Sequence, residues 1–275
     1  MTPRERLLRA LRCEPVDYVP CAFMSFAAMR NRCQDAYETV ERELELGLDA
    51  WLFVPTSWRH ERRAHPDLRG LPVRLSADVR TDLWQEDDPT QRFPVLHRAY
   101  HTAAGTLTTA VLKTTDWPHG STVPLFDDYQ IPRALKRLVT GPADLPALRA
   151  LLRPPDDAVI AAYRAEAAGA RAFCDAQGVM MAGGWGVGAD MVAWLCGLEE
   201  MVLLAVDDPA FLRALLDTIC TWSRQRMDVV LHGGVDLFIR RGWYESTDFF
   251  TPAHFRDLIL PDLRRDAALA HERGA

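Results

Sequence analysis

The sequence is poor in several features that would announce a function. Lys113 and Lys136 are its only lysines, so Schiff-base chemistry has almost nowhere to occur. The 6 cysteines, Cys13, Cys21, Cys33, Cys174, Cys196 and Cys220, contain no C-x-x-C pair. They are too sparse for a disulfide scaffold and read as thiols packed in a core. No apolar run approaches the ~20 residues that span a bilayer. The opening MTPRERLLRALRCEPVD lacks the apolar stretch of a secretory signal, so a cytoplasmic protein without a membrane partner is expected. Positive charge is not in excess either. With 32 Lys and Arg against 38 Asp and Glu the net charge is -6, which argues against nucleic acid as a partner. The 8 histidines are scattered; none has a partner at i+4 on a clear helix and none sits in H-x-C spacing, so no complete metal site is read. G-x-S-x-G, P-loop and H-E-x-x-H motifs are missing.

What is present describes an ordinary globular chain. Over 275 residues, 48% are hydrophobic and 25% charged, enough for one large core, and residues 1–275 read as a single domain. Thr2-Pro3 ahead of RERLLRALR predicts a capped helix ending at Glu14-Pro15. Further helices are expected over 35–46, 144–152, 156–177, 191–204 and 208–231, and from Thr251 to Arg273 with a kink at Pro261. Short apolar runs at 19–24, 50–55, 179–183 and 236–240 read as strands. From about 70 to 118 the pattern alternates instead, with a hairpin turn at Ala104-Gly105, and an antiparallel insertion is expected there. Repeated strand-then-helix order suits both a doubly wound α/β sheet and a (β/α)8 barrel.

In a parallel α/β protein the C-terminal ends of the strands carry the site. RRGWYES (240–246) follows the last strand directly. Arg240 and Arg241 are candidates for anion binding, Trp243 for stacking, and Tyr244 and Glu245 for proton transfer. GGWGVG (183–188) misses the G-x-G-x-x-G spacing. It reads as a tight turn that lines a pocket through Trp185 and Asp190. MSFAAMRNR (24–32), after the first strand, adds Met24, Ser25 and Arg30.

Three stretches together resemble the uroporphyrinogen decarboxylase superfamily. They are PRERLLRALRCEPVDYVP at the start, CGLEEMVLLAVDDPAFLRALLD at 196–217, and GVDLFIRRGWYESTDFF through HERGA at the end. The resemblance implies a (β/α)8 TIM-barrel-like fold, here incomplete at its C-terminus, with the pocket at the C-terminal mouth. It also implies one of two chemistries. The decarboxylase branch removes the acetate arms of uroporphyrinogen III to give coproporphyrinogen, using M-R-Q-A-G-R after the first strand. In this chain residues 24–29 read MSFAAM, and D-S-W-x-G becomes Ile239-Arg240-Arg241-Gly242-Trp243. The other branch holds zinc methyltransferases working with a corrinoid methyl carrier. Its H-x-C and Cys ligands follow H-x-x-G, so zinc would need ligands beyond Ala275. By elimination the expected function is corrinoid-linked methyl transfer, with a small molecule or corrinoid protein as methyl donor and a homodimer as the assembly. Decarboxylation is the alternative. A non-catalytic remnant acting as a binding partner is the second.

Overall fold

The computed structural model describes residues 1–22, 29, 31–56 and 71–275. Met24, Ser25 and Arg30 fall outside them, as does the end of the strand expected at 19–24.

Helix α1 (Pro3–Leu11) begins as its sequence dictates. The Thr2 hydroxyl accepts from the Glu5 N–H at 3.2 Å, and the Glu5 carboxylate accepts from the Thr2 N–H at 2.9 Å. This capping box satisfies donors that helix geometry leaves open. Helix α2 (Ala36–Glu45) starts on an Asp35 cap, and strand β1 (Trp51–Val54) follows. Next come β2 (Arg80–Glu86), β3 (Val95–Thr102), β4 (Gly105–Leu112) and the short β5 (Ala134–Lys136). Helix α3 (Leu145–Leu151) leads to α4 (Asp157–Gln177), which is capped by Asp156 and ends on the left-handed Gly178. Strand β6 (Met180–Gly186) precedes α5 (Ala189–Cys196), α6 (Leu198–Asp207) and α7 (Pro209–His232). Strand β7 (Leu237–Arg240) and α8 (Leu260–Glu272) complete the chain.

The expected (β/α)8 barrel is not what forms. The strands make a 3-stranded parallel sheet in the order β1-β6-β7 and a separate 4-stranded antiparallel sheet, β2-β3-β4-β5. No barrel closes among the described residues. The reason is topological. A barrel needs successive parallel βα units, but here β1 pairs directly with β6, Trp51 opposite Met180 through Val54 opposite Gly183. The described residues between them form antiparallel strands and helices. The antiparallel part also reaches further than the alternating pattern suggests, to Lys136, because β5 pairs with β4 at Ala110 and Val111.

Two local expectations are corrected as well. GGWGVG is not a turn up to Gly188: Gly183 to Gly186 belong to β6. The helix expected over 191–204 is two helices. Gly197, at φ +103, separates α5 from α6, and a Cβ there would lie 2.8 Å from Nε of Arg137. Near Pro261 the helix carries a π-turn at Phe255–Ile259 rather than a simple bend.

Helix α5 is buried at every position from Ala189 to Cys196. It sits in the largest apolar cluster, among Leu212, Leu216 and Ile219 of α7 and Tyr100 and Leu107 of the antiparallel sheet. A second cluster joins Leu52, Val54 and Met181 of the parallel sheet to Ala170 and Cys174 of α4 and Val230 of α7. Strand β6, between two neighbours and under helices, is therefore apolar along nearly its whole length.

Candidate functional site

The C-terminal ends of β6 and β7 meet at an irregularity. Gly184 pairs with Ile239 and Gly186 with Arg240, so Trp185 is an extra residue inserted between two paired positions. Two backbone features make this bulge. Gly184 lies at φ +139, and a Cβ there would stand 2.4 Å from the Ile239 carbonyl oxygen, so only glycine fits. Trp185 lies at φ +69, a left-handed conformation that a bulky residue rarely adopts. Such outliers persist where the surroundings over-determine them, and they gather at functional sites.

Helix α7 supplies that determination. Arg226, 1% exposed, donates from Nη2 to the Trp185 carbonyl at 2.7 Å and from Nη1 to that of Gly184 at 3.5 Å. The Val187 N–H donates to the Ser223 hydroxyl at 3.1 Å. The Gly184 and Trp185 carbonyls and the Val187 N–H are thus taken up by two side chains one helical turn apart. Among the described residues Arg226 has no carboxylate partner. Its guanidinium lies 5.0 Å from the Trp222 ring, and burial pushes its pKa down to about 9, which still leaves it charged at neutral pH.

Around the bulge the structure gathers most of the residues that the sequence singles out. Arg240, 12% exposed, is clamped from two sides. Both terminal nitrogens meet the Glu245 carboxylate, and Nε donates to Asp266 Oδ2 at 2.7 Å. Glu245, 3% exposed, also accepts from the Ala189 N–H at 2.7 Å, at the start of α5. Burial pushes the Glu245 carboxyl above its ordinary range although Arg240 pulls it down. For Arg240 burial acts downward, but Glu245 and Asp266 outweigh it and the net direction is upward. Asp266 and Asp262 continue the network into α7 through Arg224, at 3.3 and 2.9 Å, and Asp262 also meets Arg213 at 2.6 Å.

Arg241 is held differently. Nη2 donates to Asp128 Oδ2 at 2.6 Å, and Nε stands 3.7 Å from Asp190 Oδ2, beyond hydrogen-bond reach. Its guanidinium carbon lies 3.7 Å from the Trp243 ring centre, 4.9 Å from Trp194 and 5.3 Å from Trp185. Asp190, fully buried, accepts from the N–H groups of Trp243 and Tyr244 at 3.1 and 2.8 Å and so shapes the loop. Asp128 accepts from Trp194 Nε1 at 2.7 Å and lies 3.5 Å from the Tyr244 hydroxyl. Burial first, then Asp128 and Asp190, push the Tyr244 pKa up.

The structure thus brings Trp185, Asp190, Arg240, Arg241, Trp243, Tyr244 and Glu245 together. Sequence reasoning missed Asp128, Trp194, Arg226 and Asp266. Asp128 shows in the sequence only as half of an acidic pair, and nothing local ties it to a loop more than a hundred residues away. No group of three or more His, Cys, Asp or Glu among the described residues is placed to hold a metal ion. The thiols of Cys174, Cys196 and Cys220 are buried and pushed up to about 11, 12 and 12, far from thiolate. No helix among the described residues is long and apolar enough to cross a membrane.

No family model matches the chain, and no curated protein matches it. Among solved structures, a methyltransferase from Methanosarcina mazei aligns over 98% of this chain and 67% of its own. The identity is 17% and the TM-score 0.48. At that score the likeness does not fix the fold, and it assigns no chemistry.

Proposed function

We propose that the chain, residues 1–275 acting as one domain, is a methyltransferase-like enzyme related to the uroporphyrinogen decarboxylase superfamily, working in corrinoid-linked methyl transfer. The reading is supported by the three family-like stretches, the last of which carries residues 240–246 of this site. The observation that carries it is the bulge itself. A left-handed Trp185, its carbonyl held by a buried arginine, shares the Arg241 guanidinium with Trp243 at the ends of parallel strands, where α/β enzymes place their chemistry. Arg240 carries two carboxylates and Arg241 one, with a second close by. A substrate with many carboxylates would have to displace those partners first, which speaks against the decarboxylase alternative.

In this reading Trp185 and Trp243 wall the pocket. Tyr244 and Asp128 form the proton-handling pair, and Asp128, 35% exposed, opens it to solvent. The Arg240–Glu245 pair is a frame that sets the loop. The test is anaerobic incubation with methylcob(III)alamin and a thiol acceptor, following cob(I)alamin by absorbance. Tyr244→Phe should lower turnover by about 100-fold without changing the melting temperature by more than a degree or two. Uroporphyrinogen decarboxylated under the same conditions, with no demethylation of the corrinoid, would overturn the assignment.

A further inference from the structure

The aromatic residues around Arg241 suggest what the site binds. A guanidinium has five N–H donors, and where it serves to recognise anions or to lock a fold it uses several of them. Arg241 donates one side-chain hydrogen bond among the described residues, to Asp128, and its buried Nε has no hydrogen-bond partner. It is surrounded instead by the rings of Trp185, Trp194 and Trp243, with Asp128 and Asp190 alongside. Three indoles and two carboxylates around one positive charge select for charge and for a weakly hydrated surface, not for N–H donors. The local balance has the same sign: one guanidinium faces two carboxylates. Trp243 is 57% exposed, so the cage opens to solvent on that side.

We propose that this cage is a binding site for a methylated ammonium cation, with the Arg241 side chain as its resident occupant until a ligand displaces it. A quaternary ammonium group has no donors to leave unsatisfied and presents methyl groups to the rings. Displacement leaves the loop in place, because the Arg241 N–H donates to the Gly186 carbonyl at 2.8 Å and Asp190 holds residues 243 and 244. The inference names the ligand class of the site assigned above and rests on that placement. It is tested without turnover, so its failure and that of methyl transfer are told apart.

The experiment is saturation-transfer NMR on the intact protein, titrating choline and, separately, its neutral isostere 3,3-dimethylbutan-1-ol, with guanidinium chloride as a competitor of choline. Choline should show saturable binding and the alcohol none. Trp243→Ala, at an exposed position, should weaken choline by about tenfold. Arg241→Met should tighten it by about tenfold, since the internal competitor is gone. Equal signals from choline and the alcohol would overturn the proposal. So would unchanged choline affinity in Trp243→Ala, or no saturable choline binding in the wild-type protein. Preference for guanidinium over choline would overturn it too, assigning the cage to an arginine-like ligand. Should Arg241→Met fail to fold, the wild-type and Trp243→Ala titrations decide alone.

Discussion

Removing the Glu245 carboxylate should cost far more than a surface charge does. With Glu245 3% exposed and Arg240 12% exposed, the pair belongs with buried ion pairs and not with screened surface ones. Breaking such a pair from one side costs roughly 3–5 kcal/mol, because the remaining charge stays buried. Arg240 keeps Asp266 at 2.7 Å, which trims that figure. Losing the acceptor for the Ala189 N–H adds about 1 kcal/mol back. For Glu245→Ala the net is about 3 kcal/mol. At an unfolding entropy of about 2 cal/mol/K per residue, a chain of 275 residues should lose about 5 °C in melting temperature. The shifts of the two partners point opposite ways on this balance, attraction winning at Arg240 and burial at Glu245, so the cost of desolvating two charges offsets much of their attraction. Replacing both partners by apolar residues, Arg240→Met with Glu245→Leu, should therefore cost less than Glu245→Ala alone. The assay is thermal unfolding by circular dichroism at neutral pH for the wild type and each variant. A loss below about 1 °C in Glu245→Ala, or a double variant as unstable as the sum of its parts, would refute the reasoning.

Three further outcomes are expected. Gly184→Ala should destabilise by about 4 kcal/mol, combining a φ of +139 with a Cβ 2.4 Å from the Ile239 oxygen; intact stability in a denaturant titration would count against the bulge geometry. Thr2→Ala should cost about 1 kcal/mol through the capping box, and Thr2→Ser should restore most of it on the same titration. Asp262 is held below the ordinary carboxylate range, since Arg213 and Arg224 outweigh the burial that would raise it. A depressed carboxyl contributes stability that is present above its unfolded pKa and lost as pH falls through its folded one. The melting temperature should therefore drop on acidification below about pH 4, and Asp262→Asn should flatten that limb; an unchanged acid limb would remove Asp262 from the account.

Much of the local structure is legible in the sequence because its causes are local. Thr2, Pro3 and Glu5 sit within one helical turn and specify the start of α1. Asp156 and Gly178 bracket α4, and Asp208-Pro209 opens α7. Short apolar runs mark β1, β6 and β7, and the polar-aromatic cluster from Arg240 to Glu245 stands out for its density alone.

Tertiary structure decided the rest. Whether strands close into a barrel or split into a parallel and an antiparallel sheet depends on which strands pair. The pairing of β1 with β6 joins residues well over a hundred positions apart. The bulge at Trp185 exists because Ile239, on another strand, leaves no room for a Cβ at Gly184, and because Arg226, on a later helix, takes the freed carbonyls. The same holds for the charges. Read alone, Arg240 and Arg241 look like anion binders. Only the fold brings Glu245, Asp266, Asp128 and three tryptophans to them, turning one arginine into a frame and the other into the occupant of an aromatic cage. Periodicity and capping act over a few residues, so the chain states them openly. A charge's partners and a strand's neighbours are set by long-range packing, which no local pattern records.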